Sequence, residues 1–111
     1  MKIVLSGSHA GLASLEDPEN FGSFGVFISE SVSEPDEEAF MTVFAEPISS
    51  KEIWVRISEV KRLVPKEALA RGWDDHFLEM LRYASAKGWV SSDGYFVKAH
   101  VVRSPSVEGI N

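Results

Sequence analysis

Cysteine is absent from this 111-residue chain, and that one absence removes several chemistries together. Disulfides, thiol nucleophiles, thiolate metal sites and iron–sulfur clusters all need the missing sulfur. Small secreted domains often depend on disulfides, so the expected compartment is the reducing cytoplasm. Long apolar runs are missing as well. Ile3-Val4-Leu5 is interrupted at once by Ser6, Gly7, Ser8 and His9, which does not suit an export signal. No stretch reaches the roughly 18 apolar residues of a membrane span, so no membrane is expected as a partner.

Positive charge is scarce where negative charge is dense. No Lys or Arg lies between Lys2 and Lys51, whereas Glu16, Asp17, Glu19, Glu30, Glu34, Asp36, Glu37, Glu38 and Glu46 do. One cation against nine acids gives residues 1–50 a net charge of −8; ten against eight gives residues 51–111 a net +2. Duplex binding needs clustered Lys and Arg to neutralise phosphate, so no nucleic acid is expected. The acidic half, with Asp36, Glu37 and Glu38 at its densest point, suits a basic partner protein. The plainer reading is that it keeps the protein soluble.

What is present describes one globular domain. At 44% hydrophobic and 25% charged residues, the composition is that of a chain that folds around a core, not a disordered one. The domain is expected over residues 1–103, with 104–111 as a disordered tail. Lys2–Ser6 reads as a first strand, and residues 7–23 as a loop with one helical turn near Leu12–Leu15. Phe24–Val32 alternates, with Phe24, Val26, Ile28 and Val32 on one side, and reads as a strand. Ser33–Glu38, with Pro35 and four acids, reads as a solvated turn, and Phe40–Ala45 as a central strand. Glu52–Ile57 alternates again, placing Ile53, Val55 and Ile57 opposite Trp54 and Arg56. Three strands joined by short turns imply an antiparallel meander.

From Ser58 the pattern turns helical. Ser58–Val64 and Lys66–Arg71 are short helices, separated by Pro65 and closed by Gly72. A longer third helix is capped by Asp74, with a staple between Trp73 and Leu78 and a core stripe of Phe77, Met80, Leu81 and Ala84. Trp89-Val90 then pairs with Tyr95–Val102 across a turn at Asp93-Gly94. The expected fold is α+β: an antiparallel sheet of four to five strands, with two to three helices in residues 58–87 packed on one face.

Residues with chemical potential are few. The Gly7-Ser-His-Ala-Gly11 loop lacks the Lys of a phosphate loop and the βαβ frame of a dinucleotide fingerprint. No serine sits in a nucleophile elbow. His9, His76 and His100 are far apart in sequence, so no metal and no cofactor is predicted. Asp74, Asp75 and His76 suit a helix start, and a catalytic role for His9, Asp75, His76 or His100 needs the fold to bring them together. Winged-helix DNA binding is disfavoured because the third helix carries a net −1.

The aromatic residues are more suggestive. Trp54, Trp73, Trp89, Phe21, Phe24 and Phe27 line a pocket or an interface, or else pack the core. Trp54 falls opposite the apolar side of its strand, so helices, a second subunit or a ligand must cover it. Two functions follow. The first is a non-catalytic binding or accessory module that meets a basic partner protein, or a second copy in a homo-oligomer. The second is a small enzyme or small-molecule binder with a pocket between sheet and helices, with Arg56 as an anion clamp.

Overall fold

In the computed structural model, which describes residues 1–6 and 13–104, the chain forms a six-stranded sheet and four helices. In chain order these are β1 (Lys2–Leu5), β2 (Ala13–Glu16), β3 (Gly25–Ser29), α1 (Glu34–Phe44), β4 (Ala45–Pro47) and β5 (Glu52–Arg56). They are followed by α2 (Ile57–Arg62), α3 (Lys66–Ala70), α4 (Trp73–Ala86) and β6 (Phe96–Ser104). The fold class is α+β, as expected. The sheet, however, is mixed rather than antiparallel, with six strands in the order β2-β1-β3-β6-β5-β4. β1 pairs with β3, and β3 with β6, in parallel; the remaining pairs are antiparallel. The last strand therefore lies near the middle of the sheet, and its neighbours come from distant parts of the chain.

The expected turn at 33–38 and strand at 40–45 are together one helix, α1. The residues that suggested a turn are those that start a helix. Ser33 is the N-cap, its Oγ accepting from the Asp36 N–H at 3.2 Å, and Pro35 stands in the first turn. Glu34, Asp36 and Glu37 complement the positive end of the helix dipole. Phe40 and Phe44, which fit either a strand face or an i, i+4 helical pair, stack at 4.8 Å. Of the helical turn expected near Leu12–Leu15, Leu12 lies outside the described residues and the remainder is strand β2, zipped to β1 with Ile3 opposite Leu15.

The helical stretch after Arg56 resembles its expectation more closely, with differences at the caps. Gly72, in the left-handed region at φ 82°, is the N-cap of α4, and Asp74 lies inside the first turn. Leu78 is exposed, so no staple forms; Trp73 stacks on Phe77 at 4.4 Å. Phe77 and Ala84 are buried, with Met80 and Leu81 partly so. The hairpin turn has Gly94 at φ 80°, and Asp93 Oδ1 accepts from the Ser91 hydroxyl and the Tyr95 N–H. These bonds hold the Asp93 carboxyl below its usual pKa. Trp89-Val90 makes only one isolated bridge, Val90 to Val97, and is not a full strand.

The core lies on one face of the sheet. Ile3, Leu5, Val26, Ile28, Ile53, Val55, Val97 and Ala99 pack there with Phe40 of α1, Val60 of α2, Ala68 of α3 and Trp73 and Phe77 of α4. The intervening residues Lys2, Val4, Phe27, Trp54, Arg56 and Lys98 point to the other face, because strand side chains alternate. None of them joins that cluster. Among the described residues no helix is long and apolar enough to cross a membrane.

Candidate functional site

The pairing of β6 leaves a gap beside its first half. β3 reaches β6 only from His100 onward, and on the same side Val90 bridges Val97 while the Trp89 carbonyl accepts from the Lys98 N–H at 2.7 Å. A cleft of about 440 Å³ opens between these two pairings. That is enough for a small molecule. Phe21–Phe24 form one wall, and Met80, Tyr83 and Ala84 of α4 form the other together with Trp89. β6 is the floor. Val97 and Ala99 meet the cleft from the helix side, whereas Lys98, His100 and Glu52 meet it from the open face.

Both walls are held before any ligand arrives. The Trp73 Nε1–H donates to the Pro18 carbonyl at 2.7 Å, and the Phe21 ring lies 6.0 Å from Trp73 and 5.6 Å from His76. Arg71 donates twice to the Glu19 carboxylate, at 2.8 and 2.7 Å, which holds Glu19 below its usual pKa. The Met1 amino group donates to the Asn20 and Ser23 carbonyls at 2.9 and 3.2 Å, and burial lowers its pKa. On the other wall Gly88, at φ 80°, turns the chain out of α4 so that the Trp89 N–H reaches the Ala84 carbonyl at 2.8 Å. Tyr83 meets Trp89 edge-on at 6.1 Å.

Charge at the mouth is unequal. Lys98 Nζ lies 5.5 Å from the Trp54 ring centre, and Lys87 Nζ lies 5.5 Å from that of Tyr83. Glu52 stands directly across the strand pair from His100. Lys98 thus lines the cleft with His100 and Glu52, and Lys87 stands beside its Tyr83 wall.

Of the catalytic candidates among the described residues, only His100 lines this cleft. His76 is exposed in the first turn of α4 behind Phe21, with Asp75 exposed beside it, and His9 lies outside the described residues. Trp54 is on the helix-free face under Lys98. Arg56 is engaged elsewhere: its guanidinium covers Phe96 at 4.8 Å, and Nε donates to the Val43 carbonyl at 3.2 Å near the end of α1. Asp36, Glu37 and Glu38 lie on α1, near the end of β3 that pairs with Ser104, whereas Glu16 lies at the opposite end of the sheet beside Lys2. The acids of the first half are thus divided between two ends. Glu37 is also occupied, accepting from Arg103 at 2.6 and 2.7 Å, which keeps its carboxyl below the usual pKa. Among the described residues no three His, Asp or Glu side chains form a group that could hold a metal ion.

Phe21, Phe24 and Trp89 carried a signal in the sequence as aromatics available for a pocket. Tyr83, Met80 and Glu52 carried none, because their roles depend on the gap beside β6. No protein-family model, curated protein or solved structure matches the chain.

Proposed function

We propose that this protein is a non-catalytic binding module for a small molecule, held in the cleft between β6, the Phe21–Phe24 wall and the end of α4. The supporting observation is the cleft itself: about 440 Å³ with four aromatic side chains on its walls and three ionisable ones on its open side. Concave sites of this size, mostly apolar with a few converging polar groups, are where small ligands bind. A binding role suits it better than catalysis because, of His100, His76 and Asp75, only His100 lines it among the described residues. A reducing compartment suits a chain without cysteine.

Amide-resolved NMR of the full chain, titrated with a library of small aromatic and aliphatic compounds, tests the reading. Binders should shift Phe24, Trp89 and Lys98 together, and Trp89→Ala should weaken them. Shifts scattered over the surface, or centred elsewhere, would remove the cleft as the site.

A second reading, a basic partner protein, is supported by a shallow groove of about 770 Å³ lined by Glu34, Glu37, Glu38, Met41 and Pro47. Association with a Lys-rich peptide should then slow strongly with added salt. A rate indifferent to salt would sink it.

A further inference from the structure

We infer that the cleft takes a small aromatic carboxylate, with its ring between Phe24 and Trp89 and its carboxylate on Lys98 and His100. This rests on the binding-module reading and adds the charge and shape of the ligand. Lys98 and His100 are two residues apart on the same face of β6 and both line the cleft, with the Lys98 ammonium resting over the Trp54 ring of β5. A lysine ammonium and an imidazole N–H both donate, and bonds from such groups to a carboxylate are the stronger kind.

Glu52 is the opposing charge, and its place limits its effect. It stands opposite His100 across the β5–β6 pair, and only the imidazolium, with two N–H donors, can give one to Glu52 and the other to the ligand. Lys87, near Tyr83, adds positive charge to the rim. The net −6 of the chain does not reverse this local balance. Glu19 and Glu37 are each neutralised by an arginine, and the other acids of α1 lie toward the far end of β3.

The same charges disfavour a cation. An aromatic-walled site can hold an ammonium, but Lys87 already sits over the Tyr83 ring of the wall, and a cationic ligand would be repelled by it and by Lys98. An aromatic ring suits the walls better than an alkyl chain because Phe24, Tyr83 and Trp89 can contact it edge-on or offset.

The test is titration calorimetry of the full chain with indole-3-propionate, its neutral amide and tryptamine. The carboxylate should bind at least about tenfold more tightly than the amide, as expected when a charge-assisted contact is gained. Lys98→Met, which keeps most of the aliphatic stem, and His100→Gln should each reduce that preference while leaving amide binding unchanged. Amide or amine binding as tight as the carboxylate would overturn the charge assignment but leave the cleft as a site. A carboxylate preference that survives in both variants would overturn the two residues named. No binding by any of the three at millimolar concentration would overturn both this inference and the binding-module reading.

Discussion

The two faces of the sheet come from the same strands and do different work. On the helix-covered face, alternate residues are aliphatic and bury completely: Ile3, Val26, Val55 and Ala99 have almost no exposure. On the other face, the residues between them pair cations with aromatic rings, as in Lys2 over Phe27, Lys98 over Trp54 and Arg56 over Phe96. The first arrangement is stabilised mainly by removing apolar area from water, at roughly 25 cal/mol per Å². The second gains about 0.5–1 kcal/mol per pair where the ring is partly solvated, as at Phe27 and Trp54, whereas Phe96 is buried. Stability is therefore concentrated on one face, and the strand cations Lys2, Arg56 and Lys98 lie on the other. The cleft lies where the two meet, and both sides of β6 contribute to it.

The largest test of this contrast is a pair of tryptophan truncations. Trp73→Ala, which empties the centre of the core and orphans the Pro18 carbonyl, should cost about 3–5 kcal/mol in denaturant unfolding. Trp54→Ala on the open face should cost only about 1 kcal/mol. Equal losses would mean that the open face is as structural as the core. Next in size is the turn that feeds β6. Gly94 has φ 80° and nothing within 4 Å of where a Cβ would sit, so Gly94→Val should cost about 1–2 kcal/mol through backbone strain alone. Gly94→Asn should cost less, because asparagine adopts that conformation more readily; equal costs would point to a contact rather than to φ.

The smallest effect sharpens the comparison at the sheet end. Glu37→Gln breaks the Arg103 pair that ties α1 to β6 and should cost about 0.5–1 kcal/mol at neutral pH, since both side chains are partly solvated. Arg103 holds the Glu37 carboxyl below its usual pKa, so the fold favours the ionised form. The contribution is present above the ordinary glutamate range and disappears as pH falls through the lowered value. Thermal unfolding of the two proteins should therefore converge in acid. A difference that grows as pH falls would reverse the sign and remove the pair as its source.

Legibility in the sequence followed the strength of local pattern. Glu52–Arg56 was readable because strict alternation over five residues has one interpretation, and α4 because its stripe extends over fourteen residues. Residues 33–45 were not. Pro35 and a run of acids suit a turn as well as a helix start, and Phe40 and Phe44 fit either period over so short a span. Phe21, Phe24 and Trp89 were visible as pocket aromatics, but nothing local separated them from Trp73, which is buried in the core.

From residue chemistry alone came the class, an α+β domain without thiol chemistry, the alternation that divides core from open face in β5, and the charge imbalance between the two halves. Tertiary structure alone decided that β1, β3 and β6 lie parallel, that the final strand takes a central place, and that its first half, paired with β5 on one side, lacks a full strand on the other. Strand order and direction depend on contacts between residues far apart in the chain, which no local window contains. The cleft is a consequence of that unfilled position. Lys98, His100 and Glu52 therefore became neighbours of Phe24 and Trp89 only when the sheet closed around the gap.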